Sequence, residues 1–358
     1  MFSTKNFEWS IFLASILILF LGSVTIYSVN LQFFQPHLLY LVFGILVYFF
    51  LSFFDYRVLE KFGNFFYFLA VFSLLTPFFA GVLSRGAVRW AEIGGITFQP
   101  SEFSKPLLII FFSKFWEKRE FNFKNLFLYL FYFSIPFFLI FFQPDLGSSL
   151  VVLAIAFGLI FFTTIKTKNF FLIIFSFLLT LPLAFNFLHD YQKERIIHFL
   201  NPWLDPLGSG YNVIQSITSV GSGKLTGKGF GKGTQSKLAF LPERHTDFIF
   251  ASFSEEFGFF GSAFLVFLYF IIFKKILFVV KNTEDIFGSL ICLGVFFMIF
   301  FQFFVNIGMN IGLLPITGIT LPLFSYGGSS LISTLACLGL VQSVSRLNKK
   351  YELGFEFK

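Results

Sequence analysis

The chain has 358 residues, of which 56% are hydrophobic and 13% are charged, and its mean hydropathy is +0.81. A soluble protein cannot bury that much apolar surface, so the composition excludes this class. Repeated apolar runs of about 17 to 25 residues match the thickness of a bilayer and indicate a polytopic helical membrane protein. The 65 phenylalanines are best explained as lipid-facing residues used where other proteins have leucine.

The net charge of +7 would suit a protein that binds nucleic acid. The basic residues are however dispersed among the predicted membrane loops, so topology explains them better and no nucleic-acid partner is predicted. Cys292 and Cys337 both lie in apolar runs and predict no disulfide framework, and no Cys/His spacing typical of a metal site occurs. The first apolar run lacks a small-residue cleavage site, so we interpret it as the first span and not as a signal peptide.

Ten apolar runs predict an all-α polytopic membrane protein with ten transmembrane helices, forming a single integral domain over residues 1–358. They are assigned as helices because an open sheet cannot satisfy its backbone hydrogen bonds in hydrocarbon. The runs lie at 9–29, 36–54, 62–80, 103–116, 126–142, 146–165, 169–188, 248–273, 286–306 and 319–345.

The distribution of lysine and arginine predicts that both termini are cytoplasmic. In this topology the one large extracytoplasmic loop, 189–247, precedes the eighth helix. A structureless loop of this length would be unusual, so we expect it to hold short helices packed on the bundle. Several basic residues remain on the outer face in spite of the bias. Either these loops are simply solvated or they face an anionic partner, and the second interpretation is favoured by the residues beside them.

One group of such residues lies in the segment 84–105, SRGAVRWAEIGGITFQPSEFSK. Arg85, Arg89, Trp90, Glu102 and Lys105 crowd there at the edge of the third and fourth helices. A tryptophan at this depth is commonly an interfacial anchor. Lys105 lies inside the start of a span, where an ammonium group must reach the interface, pair with a carboxylate such as Glu102, or bind an anion.

A glycine-rich stretch, GSGKLTGKGFGKG at 221–233, includes Lys224 and Lys228. Glycines allow backbone amides to form an anion-binding nest, and the lysines add positive charge, so phosphate or pyrophosphate is a plausible ligand. The pattern is not a nucleotide-binding P-loop. A flexible surface loop explains it equally well.

The stretch 236–250, SKLAFLPERHTDFIF, places Arg244, His245 and Asp247 just before the eighth helix. An aspartate is ionised at neutral pH, so Asp247 could act as a general base, hold a divalent cation, or merely cap the helix. His245 could orient Asp247, bind phosphate, or serve as a structural hydrogen-bonding group. Glu255 and Glu256, deeper in the same span, are expected to face the interior, either paired or solvated.

Helix breakers recur in the segment 306–330, NIGMNIGLLPITGITLPLFSYGGSS, which is otherwise apolar. Irregular backbone in a membrane protein lines a cavity or packs against protein. The segment could also be an external turn followed by a kinked helix.

These motifs together resemble the SEDS family (shape, elongation, division and sporulation). The resemblance covers nearly the whole chain and rests on 306–330, LPERHTDFIFASFSEEFG, FQPSEFSK, the Arg89–Trp90 pair and QPDLGSS at 143–149. The short tails and the sequence PERHTDFIF are more similar to elongation members of the family than to division members.

The resemblance implies a peptidoglycan glycosyltransferase of the bacterial inner membrane, which polymerises lipid II on the extracytoplasmic face during cell-wall elongation and so sets cell shape. The implied partner is a class B penicillin-binding protein that supplies transpeptidase activity. Asp247 stands at the family's essential aspartate, and Trp90 and Lys105 stand at motif positions. No nucleotide or organic cofactor is implied, because the lipid-linked sugar already carries its leaving group.

The hypothesis for the reaction is that Asp247 deprotonates the acceptor hydroxyl, while cations gathered around this one carboxylate stabilise the departing pyrophosphate. Arg85, Arg89, Lys105 and Arg244 are the candidates, and a divalent cation, Mg²⁺ or Mn²⁺, is a further one. The alternative from a different class is a lipid II flippase, which needs no general base and is kept open by Glu255 and Glu256 in the membrane. A scaffold that only recruits the transpeptidase would not explain the external basic residues.

Overall fold

A computed structural model describes residues 7–84, 87–93, 96–161, 190–208, 210–238 and 240–348. The described part contains helices α1 to α13, one three-stranded sheet, and short 3₁₀ turns at Leu31–Phe33 and Pro202–Leu204. The helices are α1 Trp9–Val29, α2 Phe34–Phe53, α3 Arg57–Lys61, α4 Gly63–Ala80, α5 Pro100–Glu117, α6 Phe123–Phe142, α7 Leu146–Phe161, α8 Asp190–Leu200, α9 Tyr211–Ser222, α10 Thr234–Lys237, α11 Ile249–Asn282, α12 Ile286–Asn310 and α13 Gly328–Arg346.

The predicted polytopic helical fold is confirmed. Within the described residues, six helices (α1, α2, α6, α11, α12 and α13) are long and apolar enough to cross a membrane. The shorter apolar helices α4 and α7, together with α5, coincide with three further predicted spans. The predicted seventh span, 169–188, lies outside the described residues, so the count of ten remains a prediction.

Helix α12 lies at the centre of the bundle and packs against α5, α7, α11 and α13. Helix α13 is the most buried of the candidate spans and packs along α2. Their close approach requires a glycine, because a Cβ at Gly339 would lie 2.7 Å from the carbonyl oxygen of Tyr48. Most of the exposed large hydrophobic residues are phenylalanine and leucine, as expected of a lipid-covered surface.

An antiparallel sheet, which the all-helical prediction missed, follows α4. Its strands β1 (Gly81–Ser84), β2 (Ala87–Ile93) and β3 (Ile96–Phe98) are paired in the order β1-β2-β3. A signal was present in the sequence, since a Gly-Gly dipeptide separates two short apolar stretches and is typical of a hairpin. The sheet carries Arg89 and Trp90 on β2 to the beginning of α5, and we call this end of the bundle the sheet end.

One predicted boundary moves. Helix α13 begins at Gly328, and residues 311–327 are not helical, which confirms the irregular segment predicted there. Pro315 and Pro322 lie inside it, and proline cannot supply the amide donors of a continuous helix. The loop predicted to be extracytoplasmic contains α8, α9 and α10, as expected for a long loop packed on the bundle.

Candidate active site

A cavity of about 450 Å³ opens at the sheet end. It lies where β2, the first turns of α5 and α7, the segment before α11 and the irregular segment 311–327 converge. Six residues predicted from the sequence line it: Arg89, Trp90, Glu102, Lys105, His245 and Asp247. Further lining residues include Phe33, Tyr40, Gln99, Asp145, Gln302, Thr317, Gly318 and Tyr326.

The backbone at Asp247 is held by two asparagines of α12. Asn306 Nδ2 and Asn310 Nδ2 each donate to the carbonyl oxygen of Asp247 at 3.0 Å. Asn306 also donates to the carbonyl of Ile319 (2.7 Å), and the Asn310 side-chain oxygen accepts from the Ala251 amide (3.1 Å). Both asparagines are fully buried, so these bonds form away from water and fix the segment before α11 against α12.

The two residues before Asp247 are held by the irregular segment. The Tyr326 amide donates to the carbonyl of His245 at 2.9 Å, and the Ser325 hydroxyl donates to the carbonyl of Thr246 at 2.7 Å. The His245 ring stacks on Phe33, with centroids 4.2 Å apart and planes 13° apart. Three successive carbonyls are thus anchored, and the side chains of this segment line the cavity.

Asp247 itself precedes helix α11, which begins at Ile249 with Phe248 at the N-cap position. Its carboxylate is half-buried and lies beside Gly318, where a Cβ would come within 3.6 Å of Oδ2. Gly318 has a φ of +74°, a conformation that favours glycine. The absence of a side chain there leaves room beside the carboxylate for a substrate group.

Lys105 pairs with Glu102, one of the alternatives considered from the sequence. The Lys105 Nζ to Glu102 Oε1 distance is 2.7 Å, and the lysine side chain is only 1% exposed. An isolated ammonium at this depth would be costly, and the carboxylate offsets that cost. Lys105 therefore lies in the cavity wall as half of an ion pair.

Asp145 is a further buried carboxylate of the cavity, which the sequence indicated only as part of a motif. Its Oδ2 accepts from Gln99 Nε2 (2.8 Å) and from the Ser101 hydroxyl (3.2 Å), and its Oδ1 accepts from the Ser148 amide (3.1 Å). Asp145 thereby caps α7 and ties it to the start of α5.

The prediction that cations gather around one carboxylate is wrong for the described lining. Two cations, Arg89 and Lys105, face three carboxylates, Glu102, Asp145 and Asp247. With Lys105 neutralised by Glu102, Arg89 is the lining cation that forms no ion pair within the described ranges. The sequence could not show how many cations and carboxylates line the cavity, because that depends on which ends of separate helices meet.

Two other predicted arginines do not contribute to the described lining. Arg244 points its Nε to the carbonyl of Val29 at the end of α1, at 3.4 Å. Arg85 lies outside the described residues. Their proposed roles toward a substrate stay predictions.

Lys224 and Lys228 also lie away from the cavity lining, in the glycine-rich segment that joins α9 to α10. Helix α11 is broken at Gly258, whose φ is +66°, and this segment fills the break. The Lys228 and Gly229 amides donate to the carbonyls of Glu255 and Glu256 at 2.9 and 3.0 Å. These amides are therefore used within the protein, and the glycines permit close packing on α11 in place of the anion nest considered above.

The side chain of Glu255 holds the same segment. It accepts from Lys228 Nζ at 2.7 Å and Thr234 Oγ1 at 3.1 Å. It also accepts from the amides of Gln235 (3.0 Å) and Ser236 (3.1 Å) at the start of α10. The prediction that the two span glutamates face the interior is confirmed, since Glu255 is 0% exposed and the equally buried Glu256 accepts from the Ser28 hydroxyl.

Tyr326 adds a neutral hydroxyl to the cavity wall. Burial raises the pKa of its phenol, and the neighbouring Tyr40 phenol raises it further. The Tyr326 hydroxyl therefore stays protonated at neutral pH and can donate a hydrogen bond.

Sequence reasoning missed Gln302, Asn306 and Asn310. They are spaced by four residues in an otherwise apolar helix, so they share one face of α12. Polar residues inside a membrane helix commonly mark a functional or packing face, and this spacing could have identified them.

Comparisons with known proteins bear on the family and the fold. A family model for FtsW, RodA and SpoVE proteins, described as "Cell cycle protein", matches residues 8–350. The chain is 38% identical over 291 residues to peptidoglycan glycosyltransferase MrdB of Escherichia coli (strain K12), covering 80% of this chain and 79% of that protein. It is 34% identical over 355 residues to stage V sporulation protein E of Bacillus subtilis (strain 168), covering 94% and 96%.

Two solved structures show the same fold. The crystal structure of the rod-shape-determining protein RodA of Thermus thermophilus aligns with a TM-score of 0.73 at 29% identity, covering 95% of this chain and 97% of that chain. A chain of a peptidoglycan synthase complex, described as coordinating polymerization and crosslinking, aligns with a TM-score of 0.84 at 31% identity, covering 95% and 98%. The chain belongs to the FtsW/RodA/SpoVE family, the SEDS proteins.

Proposed function

We propose that this chain is a peptidoglycan glycosyltransferase that polymerises lipid II during cell-wall elongation. The curated relative named above is a peptidoglycan glycosyltransferase at 38% identity. The observation that carries the proposal to this chain is a sheet-end cavity in which an anchored backbone presents Asp247, with Arg89 in the same lining.

Asp247 is the proposed general base. The two other carboxylates of the cavity, Glu102 and Asp145, are only 7% and 4% exposed, whereas Asp247 is half-buried. A base must reach the proton that it removes, and a positioned carboxylate contributes about 10²- to 10⁴-fold to a rate.

In the proposed reaction the carboxylate of Asp247 takes the proton of the acceptor sugar's 4-hydroxyl. The oxygen attacks the anomeric carbon of the donor, the bond from that carbon to the undecaprenyl pyrophosphate oxygen breaks, and inversion gives a β-1,4 linkage. Negative charge grows on the departing pyrophosphate, and Arg89 is placed to stabilise it. Trp90, beside it on β2, would form part of the wall against which a sugar packs.

A divalent cation stays part of the proposal in a limited form. Within the described residues, no group of three or more His, Cys, Asp or Glu side chains is arranged to hold a metal ion. Mg²⁺ is often bound by one or two carboxylates together with substrate phosphates. Asp247 with a substrate pyrophosphate would suit that arrangement, and the ion would supply positive charge near the leaving group.

The proposed setting is the bacterial inner membrane, with the sheet end on the extracytoplasmic face. The distribution of lysine and arginine supports this orientation. A class B penicillin-binding protein is the proposed partner, which the likeness to a complex that coordinates polymerization and crosslinking supports.

The flippase alternative loses its main support. It drew on Glu255 and Glu256, but Glu255 binds the segment between α9 and α10, and Glu256 binds Ser28 near the end of α1. Their carboxylates are thereby engaged in holding elements together near the extramembrane segment.

The test uses purified full-length chain with lipid II as the only substrate, with and without a class B penicillin-binding protein. We expect glycan polymer from the chain, stimulated by the partner. The same preparation in liposomes reports whether lipid II crosses the bilayer. Lipid II translocation without any polymer, with or without the partner, would contradict the proposal and support the transport alternative.

A further inference from the structure

Helix α5 borders two cavities, one at each end. Lys105, in its first turns, lines the sheet-end cavity, whereas Glu117, its last residue, lines a second cavity of about 430 Å³. The two positions are separated by about 18 Å along the helix at 1.5 Å per residue. The second cavity therefore lies at the opposite end of the bundle, which the lysine and arginine distribution predicts to be cytoplasmic.

One wall of the second cavity is charged. It includes Lys114, Lys118 and Arg119 against Glu60 and Glu117. Lys118 Nζ lies 2.7 Å from Glu60 and 3.7 Å from Glu117, so this lysine serves both carboxylates. Lys114 and Arg119 form no ion pair within the described part of the chain, which leaves a net positive charge in this wall.

The other wall is aromatic. Tyr67, Phe68, Phe111, Phe115 and Tyr132 line it, and their rings belong to α4, α5 and α6. Phe68 is 69% exposed on the outer surface of the bundle, so the cavity opens toward the lipid-covered side.

The two walls meet at one residue. The Arg119 guanidinium carbon lies 4.1 Å from the centroid of the Phe115 ring, which keeps the cation at the border between the charged and aromatic walls. A ligand that fills the cavity must therefore have an anionic group at the bundle end and an apolar part along the helices.

We propose that the second cavity binds an anionic phospholipid of the cytoplasmic leaflet, with its phosphate beside Lys114 and Arg119 and an acyl chain along the aromatic wall. Basic pockets between transmembrane helices on the cytoplasmic side are suited to anionic headgroups. A free phosphate would satisfy the cations but leave the aromatic wall unused. This site does not depend on the glycosyltransferase reaction, since the residues that line it are distinct from those of the first cavity.

The test is native mass spectrometry of the purified full-length chain in a mild detergent. Phosphatidylglycerol is added to the wild type and to a Lys114→Gln/Arg119→Gln variant. We expect one retained phosphatidylglycerol in the wild type and an affinity about tenfold lower in the variant. A Lys114→Arg/Arg119→Lys variant keeps both charges and should retain the lipid, which separates loss of charge from loss of folding.

The matched control is Lys274→Gln/Lys281→Gln, which removes two charges from exposed positions toward the same end of the bundle, on α11 and outside the cavity. We expect it to bind phosphatidylglycerol as the wild type does. An equal loss in this control would show that bulk surface charge holds the lipid and would overturn the proposal.

Three competitors identify the ligand. Phosphatidylcholine, which carries no net charge, and inorganic phosphate should both fail to displace phosphatidylglycerol. Displacement by either would overturn the proposal, the first because headgroup charge would not matter and the second because the acyl chain would not. Lipid II should compete less well than phosphatidylglycerol, and preferential binding of lipid II would overturn the assignment to a phospholipid.

Discussion

Two polar segments of the loop predicted to be extracytoplasmic look equally suited to bind an anion from their sequences, yet they are used in opposite ways. In the segment before α11, the carbonyls of 245–247 are anchored by α12 and by 311–327, and the side chains line the cavity. In the glycine-rich segment, backbone amides and the Lys228 ammonium are bonded to α11. The first segment thus has a fixed backbone and places side chains in the cavity lining, whereas the second uses its amides and a lysine to pack on α11.

The largest expected loss of stability follows from removing the contacts that hold the glycine-rich segment against α11. Glu255→Gln leaves Lys228 without its carboxylate and weakens the bonds to α10. Removing one member of a buried pair costs about 3–5 kcal/mol, and we expect the lower end because Lys228 is partly exposed. The measurement is the thermal unfolding midpoint of the purified variant.

A Glu255→Gln/Lys228→Gln double variant is the control for that effect. It removes both charges, so we expect it to recover part of the stability lost in Glu255→Gln. No recovery, together with a weaker apparent affinity for lipid II in both variants, would indicate that Lys228 contacts the substrate.

The role of the anchored backbone in the segment before α11 is tested by Asn306→Leu. This change removes the donors to the carbonyls of Asp247 and Ile319, and leaving a buried acceptor unsatisfied costs about 1–3 kcal/mol. Because Asn306 acts on the position of Asp247, we expect kcat for polymerisation to fall about 10- to 100-fold while KM for lipid II changes little. Steady-state kinetics with purified protein measures kcat and KM separately.

The matched control for this variant is Gln342→Leu on α13. Gln342 is fully buried, lies outside the cavity, and its side chain has no hydrogen-bond partner within the described residues. We expect near-normal kinetics, because no bond is lost. A similar fall in kcat for Gln342→Leu would mean that Asn306 acts through general packing and does not position Asp247.

A comparable effect on catalysis is expected from Arg89→Gln. The Arg89 side chain lines the cavity and forms no ion pair within the described ranges, so its loss should remove a charge-assisted contact to the pyrophosphate without unfolding the bundle. Such a hydrogen bond contributes about 1.5–3 kcal/mol, or roughly 10- to 150-fold in kcat/KM. Arg57→Gln, at the opposite end of the bundle, should leave kcat/KM unchanged.

The smallest effect is expected from Lys224→Gln. This exposed side chain lies outside the cavity lining, so KM for lipid II should stay within about twofold of the wild type. A KM raised about tenfold would restore the anion-nest interpretation of the glycine-rich segment. Both polar segments would then contact the substrate.

Much of the fold could be predicted because apolar runs and bilayer thickness dictate where helices lie. The sheet formed by β1, β2 and β3 was missed, since its strands are short and lie between two spans. The break at Gly258 could not be foreseen, because its hydrogen bonds are completed by a segment about thirty residues earlier in the chain.

The candidate site, like the fold, could be predicted from the sequence only in part. Asp247, Arg89, Trp90 and the Glu102–Lys105 pair were identifiable from residue types placed at the ends of spans. Phe33 was not, since nothing in the sequence distinguishes the ring that stacks on His245 from the other phenylalanines. Contacts between distant parts of the chain decide which of several similar side chains reach the cavity.

The central claim is that Asp247 is the general base of the polymerisation reaction. It is tested by comparing Asp247→Asn with Asp205→Asn, a change of the same kind between α8 and α9 but outside the cavity. Polymer formation from lipid II should fall at least about 100-fold in Asp247→Asn, with its thermal unfolding midpoint unchanged, and stay normal in Asp205→Asn. Near-normal turnover by folded Asp247→Asn would contradict the claim.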